Sequence, residues 1–220
     1  MLTLYIGNKN YSSWSLRPWL LLTHAGIQFE ERRLALFSPE FKARVAEVSP
    51  AGCVPVLIDD GFAVWDTLAI AEYAAERFPE KRLWPGETRA RARARSVCAE
   101  MHSGFGALRQ ALQMNIEASL PAGLLTLAVR RDIERLISMW NELRAEHGGR
   151  GSFLFGAFSV ADAFFAPVVT RFRTYAVEVT GAAGEYAQMM WELPAMRAWV
   201  AGALAEKTYI PEEEPYRVQR

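Results

Sequence analysis

Cysteine and histidine are scarce in this chain: its 220 residues contain two Cys, Cys53 and Cys98, and three His. Two thiols cannot make a disulfide framework, and neither stands at metal-ligand spacing, so no metal is expected and a reducing, cytoplasmic compartment fits best. Net charge is lacking too. The 25 Lys plus Arg balance 25 Asp plus Glu, which gives no electrostatic reason to expect nucleic acid or an anionic membrane as a partner. The most apolar run, Phe153 to Val169, is shorter than the roughly 20 residues of a bilayer-spanning helix and carries Asp162 inside it. The first residues read as a strand, not as a charged and then apolar leader. There is no glycine-rich phosphate loop, no Ser-His-Asp arrangement, no internal repeat and no low-complexity tract. These absences leave a soluble globular protein with a small-molecule role, and its 51% apolar content supplies an ample core.

Periodicity divides what remains into two unlike halves. Leu2 to Ile6 alternates as a strand, Gly7-Asn8-Lys9-Asn10 breaks it, and Trp14 to Ala25 reads as a helix stopped by Gly26. Gln28 to Leu34 follows as a strand and Pro39 to Val48 as a short helix. Val54 to Ile58 and Phe62 to Trp65 are strands turning at Asp59-Asp60-Gly61, and Thr67 to Phe78 is a helix. That order is β-α-β-α-β-β-α. From Thr88 onward the pattern is helical. Val97, Met101, Phe105, Leu108 and Leu112 form one apolar stripe, and Ile133, Leu136, Ile137, Trp140 and Leu143 form another. Further helices start near Ser159 and at Pro194, where proline suits a first turn. The expected organisation is a small α/β domain over 1–80, a linker over 81–87 and an all-helical domain over 88–220.

The segment Asn10-Tyr11-Ser12-Ser13-Trp14-Ser15-Leu16-Arg17 joins the first strand to the first helix. Hydroxyls at a helix N-terminus sit beside unpaired backbone N–H groups and the positive end of the dipole, a setting that favours an anion such as a thiolate. The plainer alternative is a serine N-cap, although no Glu or Gln stands three residues on to complete a capping box.

Four motifs at these spacings together resemble the cytosolic glutathione transferase family: Ser12-Ser13-Trp14-Ser15-Leu16-Arg17, Gly52-Cys53-Val54-Pro55-Val56-Leu57, Asp66-Thr67-Leu68-Ala69-Ile70-Ala71-Glu72-Tyr73 and Gly156-Ala157-Phe158-Ser159-Val160-Ala161-Asp162. The resemblance covers nearly the whole chain. It implies a thioredoxin-like N-terminal domain that binds glutathione as co-substrate, and an all-helical C-terminal domain that supplies the pocket for a second, electrophilic substrate. It also implies a homodimer.

Residue by residue, the resemblance makes the Val54–Pro55 bond cis, with the Val54 backbone pairing with the cysteinyl backbone of glutathione. Unaided, Pro55 reads as a trans proline opening an edge strand. Asp66 and Thr67 are first a helix cap. In the family the matching pair holds the γ-glutamyl end, the acid on the ammonium and the hydroxyl with the helix amides on the carboxylate. Lys42 is either a contact to the glycyl carboxylate or part of a solvated helix face. Ser12 falls where relatives carry the catalytic Ser or Cys, with Ser13 as the alternative hydroxyl and Tyr11 as a third. A hydroxyl donated to sulfur lowers the pKa of a thiol that is otherwise near 8.5. A Cys at that place would instead form a mixed disulfide. The Ser-Ser-x-Ser run looks most like the zeta class of maleylacetoacetate isomerases, but that class carries Cys where this chain has Trp14, so its substrate is not carried over. Trp14, Met101, His102 and Phe105 are expected to line the second-substrate pocket.

The reading is therefore an enzyme that directs a glutathione thiolate at an electrophilic carbon of a small apolar or unsaturated acid, by conjugation or glutathione-assisted isomerisation. Its rivals are a silent binding module of the same fold and a thiol oxidoreductase or peroxidase using Cys53. Ser159 and Asp162 form an N-capping box with a folding role. Arg89, Arg91, Arg93 and Arg95 spread around a helix as a solvated face or dimer rim. Tyr216 is a candidate to fold over the pocket mouth.

Overall fold

The computed structural model describes residues 1–121 and 123–214. Alternation in Leu-Thr-Leu-Tyr-Ile makes β1 (Leu2–Ile6), which buries Leu2, Leu4 and Ile6 on one face. Helix α1 (Ser13–His24) crosses over to β2 (Glu30–Arg33), which lies parallel to β1. Then come α2 (Phe41–Ala46), β3 (Val56–Asp59), β4 (Phe62–Trp65) and α3 (Thr67–Arg77). The sheet order is β2-β1-β3-β4, with β3 antiparallel to both its neighbours. Asp60 and Gly61 turn the β3–β4 hairpin at φ 46° and 90°. Positive φ at both central residues is what a tight type I′ turn requires. This is the β-α-β-α-β-β-α order read from the sequence, and the thioredoxin-like domain that the family resemblance implies.

Helices fill the rest: α4 (Thr88–Ser103), α5 (Gly106–Ala111), α6 (Leu127–His147), α7 (Val160–Thr174), α8 (Gly181–Glu192) and α9 (Pro194–Glu206). Three details differ from the sequence reading. Val54 and Pro55 precede β3 and do not open it. The stripe from Val97 to Leu112 is not one helix: α4 stops at Gly104, Phe105 turns left-handed at φ 57°, and α5 restarts on a new axis. A Cβ at residue 104 would stand 2.6 Å from the Glu100 carbonyl oxygen, so glycine is what allows the break. Residues 153–157, the start of the most apolar run, are not helical and make two isolated β-bridges before α7 begins.

The core runs through both halves without interruption. Helix α1 is its shared member: Ser15 to Leu22 are all buried, because the helix packs on α3 from its own half and on α7 and α9 from the other. A second joint lies at the end of β1. Trp19 and Trp199 meet edge to face at 5.2 Å, and Lys9 Nζ stands 4.8 and 5.4 Å from their ring centroids. Trp199 Nε1 donates to the Lys9 carbonyl at 3.0 Å, while Lys9 Nζ donates to Glu31 at 2.8 Å.

Asp162, fully buried, organises the start of α7. Its Oδ2 accepts from the Ser159 amide (2.8 Å) and the Ser159 hydroxyl (3.1 Å), and its Oδ1 accepts from the Leu154 amide (3.1 Å). Burial outweighs these bonds and lifts its carboxyl from the ordinary 3.8 to about 6. Asp162→Ala leaves two buried amides without acceptors and should lower unfolding free energy by about 2–5 kcal/mol in denaturant titrations. Because the folded pKa is raised, the carboxyl contributes most below roughly pH 4, and its contribution falls as the pH rises toward about 6. The stability gap between the protein and Asp162→Ala should accordingly be wider at the lower pH.

Candidate functional site

Two adjoining cavities open where α1 begins. The larger, about 610 Å³, is lined on the sheet side by Tyr11, Ser12, Ser13, Trp14, Leu36, Phe37, Gly52, Cys53 and Val54. On the helical side it is lined by Gly106, Arg109, Gln110, Gln113, Met114, Arg171 and Glu213. The smaller, about 490 Å³, is lined by Trp14, Ala51, Cys53, Val54, Pro55, Trp65, Asp66 and Thr67. Trp14, Cys53 and Val54 belong to both, so the two spaces form one bent trough.

The loop before α1 is fixed from both halves. Asn8 O accepts from Tyr11 N (3.1 Å) and Ser12 N (2.8 Å), while Asn8 Oδ1 accepts from Leu36 N at 2.9 Å. Asn10 Nδ2 donates to Asn115 Oδ1 (2.9 Å), and Asn10 Oδ1 accepts from Glu117 N (2.8 Å). Both Asn side chains are buried. Read from sequence, they only ended a strand; Asn residues flanking a serine run at a helix start are the signal that was available.

Ser12 is the N-cap of α1, its Oγ accepting a long 3.4 Å bond from Ser15 N. Its hydroxyl also pairs with the Ser15 hydroxyl at 2.7 Å, and Ser15 Oγ accepts from Gly7 N at 3.0 Å. Ser13 is buried on the cavity wall, and its hydroxyl makes no hydrogen bond among the described residues. The Tyr11 phenol donates to the Thr208 carbonyl at 3.0 Å and to the Glu214 carboxylate. Burial, and then the Glu214 bond, push its pKa further up, so this third hydroxyl is already committed to the chain's far end.

The Val54–Pro55 peptide is cis. Across the trough, Asp66 caps α3 with Oδ1, accepting from Leu68 N (2.8 Å) and Ala69 N (3.3 Å), while Oδ2 lies 3.4 Å from His102 Nε2. The first helix amides are thus taken by Asp66 itself. What remains for a ligand on the α3 start is the Thr67 N–H, for which no acceptor occurs among the described residues, and the Thr67 hydroxyl. That hydroxyl donates to the Trp14 carbonyl at 3.3 Å. The carbonyl is available because residue 18 is proline and has no N–H to complete the α1 ladder. One proline in α1 therefore ties the start of α3 to the start of α1.

The expected second-substrate wall is partly corrected. Met101 and Phe105 are buried in the helical core and line neither cavity. His102 stands behind Trp14, edge to face at 5.1 Å. Of the four expected residues, only Trp14 reaches the trough, and α5, the segment after it and α7 supply the wall instead. Lys42 is exposed on α2 and lines neither cavity. Tyr216 lies outside the described residues.

Arginines dominate the electrostatics. Arg17 Cζ and Arg109 Cζ lie 4.4 and 4.8 Å from the Trp14 ring centroid. Arg17 is buried with its Nε and Nη1 unpartnered. Burial, then the charges of Arg109 and Arg171, lower its pKa to about 9. Arg171, also buried, is lowered to about 10 by burial and then by Arg109. In the sequence Arg171 is one of three charges in the largely apolar α7, and nothing in the pattern sets it apart from Arg173 two residues on. No group of three His, Cys, Asp or Glu suited to a metal ion occurs among the described residues.

With the trough placed, comparison with known proteins gives the class. The glutathione S-transferase N-terminal domain model matches residues 11–77, and the C-terminal domain model matches residues 87–202. The chain belongs to the glutathione S-transferase family. It is 27% identical over 147 residues to a probable maleylacetoacetate isomerase of Caenorhabditis elegans, covering 67% of this chain and 68% of that one. It is 29% identical over 173 residues to glutathione S-transferase 1 of Dianthus caryophyllus, covering 76% and 75%. A glutathione transferase homolog from Burkholderia, solved with bound glutathione, superposes with a TM-score of 0.71 at 26% identity, covering 93% of this chain and 98% of that one.

Asp66 adopts φ 73°, ψ 137°, a region that opposes a Cβ by about 1–3 kcal/mol. Asp66→Ala keeps that strain and loses the cap, costing about 1 kcal/mol or more. Asp66→Gly also loses the cap but removes the Cβ, so in denaturant titrations the stability order should be Asp, then Gly, then Ala.

Proposed function

We propose that the trough binds glutathione as co-substrate, with residues 1–80 holding the tripeptide, and that the enzyme lowers its thiol pKa through Ser12. In this reading the γ-glutamyl group enters the smaller cavity, with its ammonium toward Asp66 and its carboxylate toward Thr67. The cysteinyl backbone pairs with Val54, and the sulfur faces the start of α1. The relatives' names support attack on an electrophilic carbon, by conjugation or by glutathione-assisted isomerisation. The two-fold dimer and cytoplasmic location the resemblance implies belong to the same reading.

The observation that carries it is the serine relay. Ser15 Oγ already accepts from Gly7 N, so its own proton is free to be donated, and the Ser12 oxygen lies 2.7 Å away. When Ser12 turns its proton to the sulfur, Ser15 supplies its proton to Ser12. The chain Gly7 N–H, Ser15 O–H, Ser12 O–H then ends on the thiolate, each bond polarising the next. The α1 N-terminus adds its partial positive charge. No covalent bond to the enzyme is formed, in keeping with serine where thiol-exchanging relatives carry cysteine. Ser13 is the second reading, favoured by its unengaged hydroxyl on the same wall.

A hydrogen bond to a charged group is worth about 1.5–3 kcal/mol. Ser12→Ala should therefore lower kcat/KM for a chlorodinitrobenzene-type electrophile by about 10- to 150-fold. The bound thiol's titration should move up by roughly one to two pH units toward its free value. Ser15→Ala should shift it in the same direction by less. If Ser13→Ala carries the loss and Ser12→Ala does not, the sulfur faces Ser13. Absence of saturable glutathione binding in calorimetry at millimolar ligand would remove the whole reading.

A further inference from the structure

Every residue lining the smaller cavity belongs to the first half of the chain. The helical half nevertheless reaches its rim through His102, in the last turn of α4, whose Nε2 stands 3.4 Å from Asp66 Oδ2. Three contacts fix this imidazole. Its ring meets Trp14 edge to face at 5.1 Å, its carbonyl accepts from Arg109 Nη1 at 3.3 Å, and Nε2 faces the carboxylate. Nδ1 is buried and has no hydrogen-bond partner among the described residues. A neutral imidazole carries one N–H, and a buried N–H without an acceptor is costly. The ring proton is therefore assigned to Nε2, directed at Asp66.

These contacts close a circuit beside the cavity. It runs from Asp66 to His102, from His102 to the Trp14 ring, from the Trp14 carbonyl to the Thr67 hydroxyl, and from Thr67 back to its neighbour Asp66. Within it, Asp66 Oδ1 is occupied by the Leu68 and Ala69 amides at 2.8 and 3.3 Å. The second of these bonds is long, so the backbone alone holds the carboxylate plane weakly. Oδ2 is the oxygen left for an incoming cation, on a side chain that is 43% exposed. An oxygen that accepts one directed N–H keeps a further lone pair at a fixed bearing.

We infer that His102 is a positioning residue for glutathione: it holds the Asp66 carboxylate in the plane that meets the γ-glutamyl ammonium. This rests on the glutathione reading, and it moves His102 from the second-substrate wall to the amino end of the co-substrate. The plainer alternative is a tie between α3 and α4 with no bearing on the ligand.

Calorimetry separates the two by comparing glutathione with its deaminated analogue, glutaryl-cysteinylglycine, which lacks the ammonium. The readout is the ratio of their dissociation constants, which a loss of folded protein does not move. In the unaltered protein glutathione should bind at least about tenfold more tightly, the scale of one charge-assisted hydrogen bond. His102→Leu should shrink that ratio by about three- to tenfold, the scale of ordering one side chain on binding, through weaker glutathione binding alone. His102→Gln, which can direct an amide N–H at Asp66, should keep most of the ratio. In turnover of a chlorodinitrobenzene-type electrophile, His102→Leu should raise KM for glutathione and leave kcat within about twofold. A ratio unmoved by His102→Leu, equal weakening of both ligands, or His102→Gln behaving as His102→Leu overturns the inference. If the unaltered protein binds glutathione without favouring it over the analogue, the ammonium is not on Asp66 and the role of His102 falls with that placement. Absence of saturable glutathione binding removes the earlier reading as a whole.

Discussion

Burial of α1 on every side is the constraint on which the rest depends. A helix at a domain surface normally keeps one polar face in water, but here the sheet-side helix α3 and the C-terminal helices α7 and α9 enclose it. Its sequence accommodates this with an apolar middle and with polar residues that find partners or aromatic faces. Its N-terminal end is where this enclosure meets the trough. There the serines and the cavity coincide, so the position proposed for the sulfur follows from how the two halves close on one helix.

The charge distribution has the same origin. Arg17 lies within the joint between α1 and α7, between the rings of Trp14 and Phe164, with Cζ 4.4 and 5.1 Å from their centroids. Aromatic faces offset part of the cost of burying a cation but not all of it. With Arg109 and Arg171 nearby, the region is cationic within a chain of no net charge. Composition alone hides this: balanced totals say nothing of a local imbalance created when helices from distant parts of the chain meet. The field favours an anion in the trough.

Local patterns in the sequence were enough for the element order of the first half, the capping box at Ser159 and the helical character of the second half. Alternation in β1, the Asp-Gly turn and the apolar stripes of α6 and α9 are signals that tertiary contacts reinforce. The site was legible only in its sheet-side part, where Ser12, Ser13, Val54, Pro55, Asp66 and Thr67 sit in motifs that resemble a family. The helical side was not. Met101 and Phe105 share a stripe with Val97 and Leu108, and nothing in that spacing says that Gly104 interrupts it. Arg109, Arg171 and Glu213 meet only because the break after α4 and the fold-back after α9 bring three remote segments to one wall. Helix α8 begins Gly-Ala-Ala-Gly, a composition that gives neither a stripe nor a strong propensity.

The bonds from Tyr11 to Thr208 and Glu214 join positions separated by as many as 203 residues. At ribosomal speeds of about 5–20 residues per second, the later partner emerges roughly ten to forty seconds after the earlier one. During that interval the amino-terminal half can form its sheet, yet the wall that narrows the trough stays incomplete until Glu213 has emerged. A nascent chain therefore carries the serines long before it carries a competent pocket, and the chemistry is withheld until synthesis has passed Glu214.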